Sequence, residues 1–566
     1  MKERDLSILR HSAAHLLAHA VKELYPETIL TIGPATKEGF FYDFLPTKNF
    51  KDEDIVRIEA KMHELARKNI PLTHKQIPKD IARDIYKNNP FKLELINDIP
   101  GDTVGLAEQD DFCDLCRGGH VDSTGEIKHF KLLHISGSYW RADKEKAPLQ
   151  RITGTAFFTQ EDLDEFIQQK EDAIQFDHRK LGKELDLFSF HEEGVGFPFF
   201  HPKGTIVLNA MKDHLRKHLI KAKYQEIATP MMLSDELWQR SGHYQHYKDN
   251  MYFCTIDERS YAIKPMNCPG AILVYKRPRS YRELPLRLAE FGLVHRHELS
   301  GVLSGLFRVR AFTQDDAHIF CTKDQIEQEV GNFIALTDEV LKPFEFGNII
   351  IGVSTKPEKA MGSDELWNVA IDALKNALNN AGKTYTIYEG EGAFYGPKIE
   401  FGIEDSLKRV WQCGTMQIDF FQPENFDLSY ISPEGIKERP VMLHRAIYGS
   451  FERFLGITLE HFKGRLPFWL SPVQMKVLTI TDEQKEYAQS VMQLLLDYNV
   501  RIEMDDSSDP ISGQIKRAQL ERVPLMLVVG KKEMENKTVT IRDLDGKQEF
   551  GLTIEDIKNK IDALKV

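Results

Sequence analysis

Two stretches of the sequence concentrate groups that could do chemistry. Arg296-His-Glu298 is followed by a loop, Ser300-Gly-Val-Leu-Ser-Gly305, and then by Arg308-Val-Arg-Ala-Phe-Thr-Gln-Asp-Asp-Ala-His318. Apolar runs on either side of a turn-forming segment predict two antiparallel strands joined by a loop. Strand side chains alternate faces, so Arg296 and Glu298 share one side. Arg308, Gln314, Asp316 and His318 share one side of the return strand if no bulge intervenes. One wall then carries guanidiniums, carboxylates, an amide and an imidazole. Burying such groups unpaired is costly, so a purely structural hairpin has no reason to collect them. A solvated polar face is the plain alternative. It leaves unexplained Gly449-Ser-Phe-Glu-Arg453, which reads as a helix start with another arginine in its first turn. A cation gains nothing from the helix dipole there, so an incoming anion accounts for it better.

Together these pieces resemble the motif 2 and motif 3 signatures of class II aminoacyl-tRNA synthetases. Lys264-Pro-Met-Asn-Cys-Pro-Gly270, Phe312-Thr-Gln-Asp-Asp-Ala-His318, Phe394-Tyr-Gly-Pro-Lys398, Gln412-Cys-Gly-Thr-Met-Gln417 and Met442-Leu-His-Arg-Ala446 are narrower, and resemble the threonyl-tRNA synthetase family. The resemblance runs from about residue 8 to the C-terminus. It implies that ATP, L-threonine and tRNA(Thr) are the partners. The implied roles place Arg296 on the α-phosphate and the amino-acid carboxylate, and Arg308 and Arg453 on the distal phosphates. Glu298 accepts from the adenine amino group, Gln314 and Gln412 complete the site, and Mg²⁺ accompanies the phosphates. A same-class rival is another class II synthetase, such as a prolyl or seryl enzyme, and a different-class rival is a synthetase-like RNA-binding or regulatory protein that has lost catalysis. Arg296, Glu298 and Arg453 argue against the second.

Cys268, His318 and His444 carry no metal signature in their spacing, and each alone reads more readily as packed core. The resemblance implies that all three hold one zinc per chain. Three protein ligands leave the coordination sphere open, as in catalytic zinc sites. Threonine and valine have nearly one shape, so an apolar pocket separates them poorly. A zinc can take both the amino group and the side-chain hydroxyl, and valine lacks the second. Asp316 is placed by strand alternation to accept the hydroxyl's hydrogen bond. Met266, Tyr395 and Gln417 are further pocket residues by resemblance.

Serine also offers an amine and a hydroxyl, and a missing methyl is worth only about 1–3 kcal/mol, so a second sieve is needed. His11 and His15 lie one turn apart on a helical face. Asp114-Leu-Cys116-Arg-Gly-Gly-His120 adds a cysteine and a histidine with the same spacing. His-x-x-x-His with Cys-x-x-x-His resembles the editing domain shared by threonyl- and alanyl-tRNA synthetases, where Lys92 matches a further lysine. The histidines could instead line a core, the four groups could bind zinc, and Cys113-x-x-Cys116 could be a thioredoxin-like redox pair. Hydrolysis of mischarged Ser-tRNA ranks first.

These groups need elements to position them. The 566 residues fit three or four domains. A 42% hydrophobic and 28% charged composition is that of an ordinary globular protein. The net charge of −12 excludes binding to nucleic acid by bulk positive charge, so any RNA contact requires local Lys/Arg patches. Six scattered cysteines exclude a disulfide-stapled secreted fold. No apolar run is long enough to span a membrane. A cytoplasmic location follows.

The expected fold is α+β and multidomain. An N-terminal α+β editing domain covers 1–160, a helical linker 161–185, and a class II antiparallel-sheet catalytic core 186–467. An α/β anticodon-binding domain covers 468–566. Thr159-Gln-Glu-Asp162 reads as a capping box opening one charged helix from Gln160 to about Lys180. Tyr224-Gln-Glu-Ile-Ala-Thr-Pro230 resembles motif 1, which implies a homodimer. After Ser471, alternating strand and helix patterns suggest a compact α/β unit. By resemblance Glu533 and Arg542 read the anticodon, while Ser507-Ser508-Asp509 replaces the family's usual Arg-Asn-Glu run. Ala271 and Ser304 stand where relatives often carry histidines. The family commonly opens with a ubiquitin-like domain, and this sequence starts almost at the editing helix.

Overall fold

The computed structural model describes residues 5–358 and 360–565, without the side chain of His246. The chain divides into two compact units, residues 1–171 and 172–566.

In the first unit, the helix Leu6–Leu24 is capped by Asp5, whose carboxylate accepts from the Ser7 N–H. Leu9, Ala13, Leu16, Leu17 and Ala20 recur at helical spacing and are fully buried. They pack with Phe40, Tyr42 and Phe44 and with Ile58 and Met62 of the helix Asp52–Arg67. The sheet beneath is antiparallel and runs Ile29–Leu30, Phe40–Leu45, Pro148–Phe157, His129–Tyr139. A second antiparallel sheet joins Thr73–Pro78, Thr103–Gln109 and Phe112–Leu115, and brings the Asp114–His120 segment to the first helix. The single helix expected from Gln160 to Lys180 is instead two. Gln160–Gln175 ends, and Asp177 caps a new helix, His178–Glu184, by accepting from the Arg179 N–H. Asp177 prefers that cap to a mid-helix position, where its carboxylate would compete with the ladder.

The second unit is built on an eight-stranded sheet in the order Gln225–Glu226, Leu286–His295, Ala311–Cys321, Val441–Ala446, Val410–Asp419, Lys398–Glu404, Ile349–Ser354, Thr386–Tyr388. The six central strands pair antiparallel, and only the two edge pairings are parallel. One face is covered by the helices Ile326–Leu341, Asp364–Asn380 and Phe451–His461, whose buried Phe333, Leu374 and Phe454 meet Ile319, Phe401 and Leu443 of the sheet. The other face carries the polar side chains described below.

The C-terminal part has its own five-stranded sheet. Ile502–Met504, Met475–Thr479 and Leu525–Val529 are parallel, and Val539–Asp543 and Gln548–Leu552 add antiparallel. The helices Lys485–Leu496 and Ile554–Leu564 close its core through Val491, Leu495, Ile557 and Ile561. Among the described residues no helix is long and apolar enough to cross a membrane.

Candidate active sites

Sheet register sets the centre of the second unit's site. His318 lies opposite His444, and His444 opposite Gln417, on three adjacent strands. Directly opposed residues share a face, so these side chains form a row. The helix Cys268–Tyr275, opened by Pro269 in its first turn, sets the Cys268 thiol over that row. Ligand atoms of Cys268, His318 and His444 all lie within 4.8 Å of one another. Cys268 and His318 are only 5% and 2% exposed, and His318 Nε2 has no hydrogen-bond partner. His444 Nε2 sits 3.0 Å from Asp419, a buried carboxylate that also accepts from the Phe421 and Gln422 N–H groups. That leaves His444 Nδ1 for a ligand. Burial holds His318 well below the ordinary imidazole range, so it is neutral and has a lone pair to give. One sulfur and two imidazole nitrogens, one of them orphaned and buried, suit a borderline-soft divalent ion such as zinc.

Around this cluster, Asn267 donates to Asp316 at 3.2 Å, and the Tyr395 hydroxyl donates to Gln417. Met266 is half-buried beside them. His243, which the sequence did not single out, lies 3.8 Å from the Cys268 sulfur.

The arginines are placed differently from the expected hairpin. The strands end at His295 and resume at Ala311, so Arg296, Glu298 and Arg308 lie on the loop rather than on a wall of strands. Two short 3₁₀ turns, Ser300–Val302 and Gly305–Phe307, occupy the loop and replace strict alternation. Alternation therefore does not pair Arg296 with Glu298. Instead Arg308 pairs with Glu298 at 2.9 Å. Arg296 donates to the Pro265 carbonyl and lies over the Phe312 ring. Gln314, Asp316 and His318 do share a regular strand. The backbone of Gln314 bridges to Ser450, which caps Phe451–His461 by accepting from the Arg453 N–H. Arg453 itself donates to the Phe307 carbonyl at 3.0 Å. Beside a register shift in its strand, Gln412 donates to Glu400 at 2.6 Å. Glu452 is buried, and burial pushes its carboxyl up to about 7 despite the Thr313 N–H it accepts.

The first unit holds a second constellation. His11 Nε2 and His120 Nε2 lie 3.0 and 2.9 Å from the Cys116 sulfur, which also accepts from the Gly118 N–H at 3.2 Å. His15 Nδ1 is 3.1 Å from Asp114. Asp114 takes further bonds from Lys92, at 2.5 Å, and from the Tyr42 hydroxyl, at 2.7 Å. Burial pushes the Cys116 thiol up, but hydrogen bonds from His11, His120 and His15 outweigh it and bring it down to about 3. Burial likewise pushes His15 down, and Asp114 and Cys116 together reverse this to a raised value of about 9. Asp114 is held below the usual carboxylate range by Lys92 and His15 against its burial. Lys92 is thus brought to the other predicted residues from a separate helix, Pro90–Asp98. Tyr42 was missed, because nothing local in Phe40–Leu45 marks it. Neither Cys113 nor Cys116 forms a disulfide, so they are not joined as a redox pair.

In the C-terminal part, Glu533 caps its own short helix, accepting from the Gly530 N–H and from the Thr540 hydroxyl. Arg542 donates to the Gly546 carbonyl on the following turn. Ser507 and Asp509 both accept from Arg517.

Three family models match the chain: a tRNA synthetase class II core domain (G, H, P, S and T) over 252–462, an anticodon binding domain over 470–564, and a threonyl and alanyl tRNA synthetase second additional domain over 104–153. A threonine–tRNA ligase from Acetivibrio thermocellus is 53% identical over 561 residues, covering 98% of this chain and 88% of that protein. The chain belongs to the threonyl-tRNA synthetase family. A second relative of this synthetase, the threonine–tRNA ligase of Clostridium botulinum, is 52% identical over 564 residues with the same coverage. Among solved structures, the RNA binding domain of threonyl-tRNA synthetase from Cryptosporidium parvum Iowa II is similar at 42% identity and a TM-score of 0.66, covering 69% of this chain and 98% of that one. A putative threonyl-tRNA synthetase from Aeropyrum pernix is similar at 32% identity and 0.61, covering 69% and 95%. The multidomain α+β architecture of this synthetase agrees with a class II core, an anticodon-binding part and an editing-type domain.

Proposed function

We propose that this protein ligates L-threonine to tRNA(Thr) through a threonyl-adenylate and hydrolyses mischarged Ser-tRNA(Thr) in its first unit. The observation that carries the ligase reading is the convergence of Cys268, His318 and His444 next to Asp316, with Arg296 bonded to the Pro265 carbonyl three residues before Cys268.

Adenylation is in-line attack of the threonine carboxylate on the α-phosphate, with pyrophosphate leaving. The nucleophile is already an anion, so positioning and charge neutralisation suffice. Arg296 meets the α-phosphate and carboxylate. Arg308 and Arg453 hold the distal phosphates with Mg²⁺, and Glu298 accepts from adenine. Gln314 and Gln412 complete the nucleotide site. Cys268, His318 and His444 would hold one zinc, which supplies two-point recognition of the amino and hydroxyl groups. Asp316 accepts the hydroxyl's hydrogen bond, and Met266, Tyr395 and Gln417 shape the pocket. In the first unit, His11, His15, Cys116 and His120 orient water at the ester carbonyl, and Asp114 and Lys92 fix His15. Water adds to the carbonyl, and the ribose oxygen leaves with a proton. Glu533 and Arg542 contact the anticodon.

The domain limits that fit these roles are 1–160, 161–185, 186–467 and 468–566. A homodimer is supported by motif 1, next to which Met231 and Met232 are 41% and 45% exposed. A cytoplasmic location fits six free cysteines. ATP–pyrophosphate exchange with a panel of amino acids tests the assignment. Threonine should support exchange, and exchange with a different amino acid but not threonine would overturn it.

A further inference from the structure

His178 is 1% exposed and sits at the start of the helix His178–Glu184, far in sequence from any motif assigned a role above. Its two ring nitrogens are both committed. Nε2 accepts from the Leu306 N–H at 2.9 Å, and Nδ1 lies 2.7 Å from Glu460 Oε1. A backbone N–H can only donate, so Nε2 carries the lone pair and Nδ1 the proton. Glu460 also accepts from the His178 N–H at 3.0 Å and from Arg409 at 2.5 Å. His178 therefore has no lone pair left for a metal ion, although ligand atoms of Asp177, His178 and Glu460 lie within 4.8 Å of one another.

The bond to Leu306 falls at the tip of the loop that bears Arg296, Glu298 and Arg308. That tip is held on several sides. Arg453 binds the Phe307 carbonyl. The Phe307 ring packs 4.1 Å from the His178 ring and 4.4 Å from Trp411. Trp411 donates to Asp405, which also binds Arg409. Two glycines are shaped around the imidazole. A Cβ on Gly305, at φ +48°, would meet His178 Nε2 at 2.2 Å, and one on Gly456 would meet Phe307 at 2.9 Å.

We infer that His178 is a positioning residue for nucleotide binding, fixing the loop tip against the helix Phe451–His461 so that Arg308 and Arg453 converge on one polyphosphate. This rests on the adenylation reading above. Each guanidinium comes from a different element, and His178 is the side chain that hydrogen-bonds to both, through Leu306 and through Glu460. Losing the acceptor for a buried N–H frees the tip, and the phosphate clamp loosens while the threonine pocket, on the sheet, keeps its geometry.

The test uses the full chain and two substitutions that separate the bonds. His178→Asn keeps a donor toward Glu460 but is too short to reach Leu306. His178→Gln places an amide oxygen near the position of Nε2. In threonine-dependent ATP–pyrophosphate exchange, His178→Asn should raise KM for ATP about tenfold and leave KM for threonine unchanged. His178→Gln should bring the rise back to about two- to threefold. Calorimetric titration with ATP should show the same order. Equal losses in both variants, or an unchanged KM for ATP in His178→Asn, overturn the inference. If His178→Asn does not fold, Gly305→Ala pushes the tip off the imidazole and should give the same rise; an unchanged KM there overturns it too. A parent protein without threonine exchange would refute the ligase reading, and the ATP titration would still decide the role of His178.

Discussion

Replacing Lys92 by Met should destabilise the first unit, and the sign of its pH dependence makes the prediction specific. Lys92 and Asp114 are each 1% exposed and 2.5 Å apart. Around neutral pH the constellation holds two cations, Lys92 and protonated His15, against two anions, Asp114 and the Cys116 thiolate. Methionine keeps the volume but leaves one buried anion uncompensated. Breaking one side of a buried pair costs about 3–5 kcal/mol. His15 and Tyr42 remain on Asp114, so about 3 kcal/mol is expected. In the parent, Asp114 is depressed below its unfolded value, which gives stability above about pH 4 that is lost as pH falls. In Lys92→Met, burial is opposed by one cation fewer, the carboxyl rises from its depressed value, and protonation costs the folded state less. The variant's deficit should therefore shrink as pH falls towards the unfolded carboxylate value of about 4. Native-state hydrogen exchange of the Leu6–Leu24 amides reads the opening free energy of this unit without reference to the second. A deficit below about 1 kcal/mol, or one that grows on acidification, refutes the electrostatic account.

Further outcomes follow from the same geometry. His11→Ala with His15→Ala should abolish Ser-tRNA deacylation and leave threonine exchange nearly intact, with a thermal melt to show that the unit still folds; clearance at the parent rate would return the histidines to a core role. Asp419→Asn should weaken zinc retention about 10–100-fold in chelator competition, because the carboxylate orients His444; unchanged retention would remove Asp419 from the site. Metal analysis should find one zinc per chain, and Cys268→Ser should abolish threonine activation; a fully active protein without zinc sinks the metal reading. The ultraviolet thiolate band of Cys116, measured against Cys116→Ser, should persist down to about pH 5; its loss between pH 7 and 9 would show an ordinary thiol.

The long periodic segments and the motif order were legible in the sequence, because an amphipathic helix such as Leu6–Leu24 and a short polar-bearing strand such as Ala311–Cys321 write their own period. The strand expectation failed at Arg296 and Arg308. The residues between them form 3₁₀ turns whose hydrogen bonds are local and leave no period of two. The helix expected to continue to Lys180 failed for a related reason: Asp177 competes for backbone donors, and a charged, polar stretch gives little warning of a break. Tyr42, Asp419 and His178 were invisible because their partners lie far along the chain; His178 meets Leu306 and Glu460 at separations of 128 and 282 residues. Such a residue has no neighbourhood in sequence, only in space.

The strand order has a consequence for synthesis. Ala311–Cys321 pairs on one side with Leu286–His295, its immediate predecessor, but on the other with Val441–Ala446, after the whole of 322–440 has been made. On the ribosome the first unit and the Leu286–Cys321 hairpin have all their residues early. The central strand that brings His444, and the helix after it that brings Arg453, are the last parts of this site to be made. Until then Cys268 and His318 stand beside an open sheet edge, which is the part of a nascent chain most prone to wrong pairing. The slow, long-range closure of that edge sets when the active site first exists. A stalled chain ending before residue 441 would carry a foldable first unit and no means of charging tRNA.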